Sequence, residues 1–440
     1  VTQAVVFVPG IMGSELKRGD EVIWPGSPLE LWLPYAHMAE LLDPATEVGD
    51  IIRNVSISEQ YGALVRSLES WGYVEKGITP TLVVVPYDWR KDNKLAARKL
   101  ADEIDALAAK LGADTDISIV AHSMGGLISR CYLESGDYKA RPGLASVKRL
   151  ITLATPHRGA PMALSAAIGN ERRVFLNAQQ VKSLASDPNF PSLYQLLPPK
   201  GEPCVWDRSS GSRYAPLDIY DIDVARSLDL VPENLASACS FQETLDLDRR
   251  PSHVRYFFFV GSHETTTSSV MARLDATDIG HRIAKVDREN AGDGTVPIWS
   301  AMLTGIQTEQ VGGEHAGIYK NQTLIDVLGT LLGGPALLAA RGQKPELWVR
   351  HQVFDLGRDV ELTLELPNGT TEIDGELRVM RHAKDTFDLV RAISIQYAGP
   401  AVDHLALILP ALDFPGAYQI VYIDKGEPQS AATEFFVQPG

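Results

Sequence analysis

Cysteine is scarce: the chain has three in 440 residues, Cys131, Cys204 and Cys239. They lie far apart and in no metal-ligand spacing, which excludes a disulfide framework and a zinc site of the CxxC type. Long apolar runs are lacking too. The longest, such as residues 335–340, fall far short of the ~20 residues that cross a bilayer. The stretch VTQAVVFVPG at the amino-terminal end has no basic region and no apolar run ending in small residues, so it does not read as a signal peptide. Positive charge is in deficit. Lys and Arg number 41 against 56 Asp and Glu, a formal charge of −15, and nucleic acid is excluded as a broad electrostatic partner. What remains is ordinary globular composition, 45% hydrophobic and 22% charged, enough to bury a sizeable core.

Two textures divide the chain near residue 335. Before it, near-continuous apolar runs at 5–8, 82–85, 117–120, 150–153 and 256–260 predict strands buried on both faces. Between the second and third, Leu95, Leu100, Ile104, Leu107 and Leu111 recur at helical spacing among charged residues. Strand, helix, strand in this order predicts a parallel sheet with crossover helices. After Gly333, Gly334 and Pro335 the pattern turns to short strands. Residues 360–366 alternate strictly, and Asn368-Gly369 reads as a hairpin turn. Further strands are expected at 377–380, 393–397, 405–409, 418–423 and 435–437, giving an immunoglobulin-like β-sandwich over 346–440. Residues 170–251, rich in Pro with scattered aromatics, fit neither texture and read as a cap over a site.

Ile117-Ser118-Ile119-Val120 runs into Ala121-His122-Ser123-Met124-Gly125-Gly126 and then a helical pattern. This is a strand, sharp turn and helix of the G-x-S-x-G kind, with Ala121 at the first small position. A nucleophile on such a turn brings the backbone against the next helix, so the positions two before and two after must lack bulk. Ser123 is the candidate nucleophile, and the Met124 amide at the helix start is a candidate oxyanion donor. A serine nucleophile needs a His base and a carboxylate, in the order Ser, acid, His in this fold. His315, in the small-residue loop GGEHAG, and Asp293, in AGDGTVP, satisfy that order 22 residues apart. Asp-Gly is also a common turn dipeptide, and His253, His263 and His281 also follow Ser123, in polar and less loop-like settings. A second amide is expected from Ile11, after Pro9 and Gly10 end the first strand.

Together, VPGIMGSEL, PYDWR, AHSMGG, PSLYQLLP and GDGTVP resemble the lecithin:cholesterol acyltransferase-like, lysosomal phospholipase-like branch of the α/β-hydrolases over roughly residues 1–330. The resemblance implies an α/β-hydrolase with a mostly parallel sheet at 1–335, a lid near 24–47, the cap near 170–251, and Ser123, Asp293 and His315 as a triad. The fold class expected for the whole chain is therefore α/β with a C-terminal all-β sandwich. The implied activity is acyl-ester hydrolysis, as a lipase, phospholipase or esterase, or acyl transfer to an alcohol. The secreted members have a disulfide-closed lid, and the corresponding segment here has no Cys. That departure and the missing leader pattern lead to the expectation of a cytoplasmic, bacterial protein. Within the lid, Trp32 and Leu33 are candidate substrate contacts. In PYDWR, Asp88 and Arg90 are expected to brace a strand end and Trp89 to pack; His157 reads as a rim or structural residue rather than a second base. No metal or cofactor is implied. The expected partners are an acyl-ester or lipid substrate, with transient membrane contact, and a protein partner at the C-terminal β domain, which would make the enzyme a regulated effector.

Overall fold

The computed structural model describes residues 1–26, 35–55, 58–209, 214–277, 282–334, 345–349, 353–383, 386–425 and 431–438. The expected substrate contacts Trp32 and Leu33 lie outside these residues.

Six strands form the central sheet: β1 (Thr2–Val8), β2 (Leu82–Val84), β3 (Thr115–His122), β4 (Val147–Leu153), β5 (Arg255–Ser262) and β6 (Gln307–Gly312), in the spatial order β6-β5-β4-β3-β1-β2. All five pairings are parallel. The apolar runs are continuous because both faces are covered. Val5 and Phe7 of β1 join Val120, Ile151, Leu153, Phe257 and Phe259 in one buried cluster, packed by Leu64, Leu68, Leu324 and Leu328. Ala4, Val6 and Val8, pointing the other way, are equally buried.

Helix α1 (Asn93–Leu111) connects β2 to β3. Its buried stripe is Ala96, Ala97, Leu100, Ala101, Ile104 and Leu107, while Leu95 is exposed and Leu111 half-buried. The period was legible, but the small alanines, not the two end leucines, face the sheet. The chain winds from β1 to β2 on one side and returns to β3 on the other. The order therefore reverses between β1 and β3, and the crevice beyond their carboxyl ends is where sheets of this type bind ligands.

Residues 170–251 are more regular than their composition suggests. They hold helices at Ala178–Ala185, Ile222–Ser227 and Pro232–Gln242 and a 3₁₀ turn at Pro191–Leu196. Pro191 and Pro232 stand in the first turns of these elements, where proline starts a helix rather than breaking one. An antiparallel pair, Glu264–Ala272 and Ile283–Gly292, follows β5 and was not anticipated.

Two compact units divide the described residues. The first contains Val1–Pro25, His37–Arg53 and residues 60–334. The second contains the strands from Glu346 onward, and residues 26, 35–36, 54–55 and 58–59 also group with it. Part of the segment expected as a hydrolase lid, 24–47, thus groups with the second unit.

Asn368-Gly369 is not a hairpin turn. One strand, Val360–Ala383, runs straight through it and pairs along its length with Thr386–Leu409. The pairing jumps between Glu365 and Thr370 and again before Glu372. Buried positions accordingly change from even numbers (Val360, Leu362, Leu364) to odd (Ile373, Leu377, Val379), which is what a bulge does to the two faces of a strand. The unit has its own core, with Tyr418, Ile420, Tyr422 and Phe435 from the neighbouring strands.

Candidate active site

Ser123 stands between the last residue of β3 and the first of helix α2 (Met124–Glu134), at φ 51° and ψ −123°. Such a conformation is costly for an L-residue and persists only when its surroundings enforce it. They do so from several sides. The Ser123 amide donates to the Leu153 carbonyl at 2.8 Å, and the Thr155 hydroxyl donates to the Ser123 carbonyl at 2.9 Å. A Cβ on Gly125 would lie 2.5 Å from the Val8 and Pro9 carbonyl oxygens, and one on Gly126 would overlap the Thr155 side chain. The small residues therefore let α2 start directly against the end of β1.

His315 reaches this serine from the loop after β6. Its Nε2 is 2.9 Å from the Ser123 hydroxyl, and its Nδ1 is 2.8 Å from Asp293 Oδ2. Asp293 is almost fully buried, and its other oxygen accepts the Thr295 and Val296 amides at 3.0 and 2.7 Å. The Asp-Gly turn and a held carboxylate are thus both present, since the turn's own amides bind the carboxylate. The His315 amide also donates to the Asp293 carbonyl at 2.9 Å, so the two residues are joined by backbone as well as side chain. Asp293 arrives at the end of the antiparallel excursion Ile283–Gly292, against Gly261 of β5.

Gly10, Ile11, Met12 and Gly13 form a tight turn at the end of β1, closed by the Gly13 amide on the Gly10 carbonyl at 3.1 Å. Met12, at φ 61°, occupies the turn position that favours glycine; the Trp24 indole N–H holds its carbonyl at 2.9 Å. Among the described residues, the amides of Ile11 and Met124 donate to no protein acceptor. Both remain available to a ligand at the crevice between β1 and β3.

Two residues here were assigned no role from the sequence, although His122 lies within AHSMGG. His122 is buried. Its Nδ1 is 2.8 Å from the Tyr61 hydroxyl, whose oxygen accepts the Gly10 amide at 2.9 Å, and its Nε2 is 3.0 Å from the His315 carbonyl. Burial, and then the nearby His315 charge, push the His122 imidazole down to about 3. His122 precedes Ser123 in the chain and so fails the order expected of a base. Tyr61 opens the helix Tyr61–Ser70 as one aromatic among many. Neither could be singled out from the sequence.

PYDWR braces the neighbourhood. The buried Arg90 guanidinium pairs with Asp88 at 2.8 Å and donates to the carbonyls of Leu41, Asp43 and Thr46. Trp89 packs edge-on against Trp24 and donates to the Ser14 carbonyl. Of the two readings of His157, rim or structural, the structural one holds: it is buried and stacked on Phe258 with ring centroids 3.9 Å apart. His253 is spent on the Leu144 carbonyl at 3.2 Å, and His281 lies outside the described residues. Among the described residues, no group of three or more His, Cys, Asp or Glu could hold a metal ion, and no helix is long and apolar enough to cross a membrane.

A family model described as lecithin:cholesterol acyltransferase matches residues 49–301, a span that holds Ser123 and Asp293 and ends before His315. Two Arabidopsis thaliana proteins are similar. Lecithin-cholesterol acyltransferase-like 4 is 26% identical over 358 residues, 66% of this chain, and the chain spans only 61% of its length. Phospholipase A(1) LCAT3 is 24% identical over 368 residues, 72% of this chain and 78% of that protein. Among solved structures, phospholipase PlaB from Legionella pneumophila overlays with a TM-score of 0.34 at 12% identity, over 100% of this chain and 92% of that one.

Proposed function

The chain belongs to the lecithin:cholesterol acyltransferase family, and from that premise we propose that it is a serine acyl-ester hydrolase or acyltransferase acting on lipid esters, with Ser123, His315 and Asp293 as its triad. The observation that carries the reading is the unbroken line from the Ser123 hydroxyl through both nitrogens of His315 to Asp293, at 2.9 and 2.8 Å.

Ser123 Oγ attacks the acyl carbonyl carbon and passes its proton to His315 Nε2. Asp293, accepting from Nδ1–H, fixes the tautomer and stabilises the imidazolium. The carbonyl oxygen, now anionic, receives the Ile11 and Met124 amides. Collapse of the tetrahedral species expels the alcohol, which takes the proton from Nε2 and leaves an acyl-serine. Water or a second alcohol then gives its proton to His315 and attacks the acyl carbon, releasing acid or new ester and restoring the Ser123 hydroxyl. The triad is the same for both outcomes. The two relatives, one named an acyltransferase-like protein and the other a phospholipase, are matched by two acceptors in the test.

The test is labelling with a fluorophosphonate probe, followed by product analysis on phospholipid with and without an added long-chain alcohol. Ser123→Ala should abolish labelling and lower turnover by on the order of 10⁴ or more while the protein stays folded. Asp293→Asn should cost about as much as the ~10⁴ tautomer penalty seen in serine proteases. Turnover that survives Ser123→Ala would remove the proposal. Fatty acid alone assigns a hydrolase; wax ester on addition of alcohol assigns a transferase.

A further inference from the structure

The Gly10 turn, the end of β3 and the His315 loop meet at Ser123, and two side chains outside the triad, Tyr61 and His122, tie them together. The Gly10 amide can only donate, so the Tyr61 oxygen accepts from it, at 2.9 Å. The His315 carbonyl can only accept, so His122 carries its hydrogen on Nε2, 3.0 Å away. His122 Nδ1 is then an acceptor, and the Tyr61 hydroxyl hydrogen points to it across 2.8 Å. Every donor has an acceptor, and the pattern closes only with a neutral His122.

The rings pack as tightly as the hydrogen bonds run. Tyr61 meets His122 edge-on at 5.6 Å, and Tyr319 lies 5.1 Å from Tyr61 and 5.4 Å from His122. A Cβ on Gly10 would lie 3.0 Å from both His122 Nδ1 and the Ser123 Cβ. The oxyanion turn thus rests directly on the pair.

We propose that Tyr61 and His122 are positioning residues, a relay that locks the turn bearing the Ile11 amide and the loop bearing His315 to the strand that ends at Ser123. The inference rests on the triad reading above. The relay touches no reacting atom. It acts through the Gly10 amide at one end and the His315 carbonyl at the other, so nucleophile, base and oxyanion donor are fixed against one another. Without it, His315 would keep its ties to Asp293 and Ser123 its ties to Leu153 and Thr155, but the Gly10 amide and the His315 carbonyl would lose their link to the end of β3. Displacements of about an ångström at such groups cost roughly 100-fold in rate.

The groups that face His122 are Tyr61, His315 and Tyr319. Nothing acidic among them would favour a second proton, so the relay keeps one protonation state across the working range and adds no ionisation of its own to the pH–rate profile.

The experiment uses the full chain and a short-chain p-nitrophenyl ester, with kcat, KM and the fluorophosphonate labelling rate measured for Tyr61→Phe, His122→Phe and His122→Gln beside Ser123→Ala. A one-dimensional proton spectrum follows the hydrogen shared by His315 and Asp293. Tyr61→Phe keeps the ring and removes only the hydroxyl. It should lower kcat and labelling roughly 10- to 100-fold with KM within about two-fold, and should shift or broaden the shared-proton resonance. His122→Phe should do the same, and His122→Gln, whose amide can still donate to the His315 carbonyl, should recover part of the loss. Unchanged kcat and labelling in Tyr61→Phe, or a loss carried wholly by KM, would overturn the relay. If Tyr61→Phe does not fold, the two His122 variants decide: equal activity in both overturns it, and recovery in the glutamine variant supports it. Full activity in Ser123→Ala would bring down the triad reading, and the relay with it, a result distinct from a relay failure on a working triad.

Discussion

Ser123 and Met12 both hold positive φ, 51° and 61°, at the two turns that flank the crevice. A hydroxyl and its neighbouring amides are presented there by backbone that would relax if left alone. Burial acts on the imidazoles in the same local way. His157, near the charge of Arg130, is held well below its ordinary value of 6.5, and His122 is pushed down to about 3. The unfolded chain takes up protons at these residues near pH 6.5 and the native chain does not. Their contribution to stability is therefore complete above about pH 6.5 and is lost as the pH falls below it, for His122 down to about pH 3. Urea midpoints should drop between about pH 7 and pH 4, and His157→Gln should drop less steeply than the wild type; parallel slopes would acquit His157. At this scale the sequence was legible where chemistry forces a pattern. The small residues around Ser123 and the chain order of Asp293 and His315 picked out three side chains that the structure brings into contact. Tyr61 and His122 were not picked out, because a relay needs only that two polar atoms meet, and residues 61 positions apart leave no periodic trace. The positive φ of Met12 was hidden for a similar reason, since side-chain type forbids little there.

Elements were legible in proportion to how fully both their faces are buried. The runs at β1, β3, β4 and β5 could be read directly because apolar residues dominate them, and the polar residues within the runs, Ser118 and Thr152, are themselves buried. The strand Val360–Ala383 was misread because Asn368-Gly369 is a strong turn signal, yet here the long partner strand Thr386–Leu409 pairs past it and absorbs the disturbance as a bulge. Prolines in 170–251 suggested irregularity because position within a helix, which decides whether proline starts or breaks it, is not visible from composition. The junction of β3 and α2 makes a prediction of its own. An alanine at Gly125 meets main-chain oxygens 2.5 Å away, and one at Gly126 overlaps Thr155 Oγ1 and meets Thr155 Cβ at 2.8 Å, a clash that no rotamer change relieves. Each substitution should therefore destabilise by about 1–3 kcal/mol. Thermal melts of the two check this. Gly126→Ala should also resemble Thr155→Val in labelling rate, since both disturb the bond to the Ser123 carbonyl. An unchanged melting temperature in either glycine variant would contradict the packing argument.

In the whole molecule, the proposed triad, the amides and the relay all belong to the first unit, while the second has a separate core. A chain ending at residue 334 should keep its fluorophosphonate labelling. It should also melt lower, because residues 26, 35–36, 54–55 and 58–59 group with the unit removed. A folded shortened chain that cannot label would show that the second unit contributes to the chemistry. The position of β1 has a further consequence for how the protein is made. β1 precedes both of its sheet partners in the chain and lies between them, paired on one side with Leu82–Val84 and on the other with Thr115–Ala121. As the chain leaves the ribosome, the apolar run at Ala4–Val8 must wait for more than a hundred further residues before both its edges are covered. An uncovered strand of that composition invites pairing with other nascent chains. The yield of active protein should therefore respond to the speed of translation and to chaperone supply more sharply than the equilibrium stability of the finished fold would suggest.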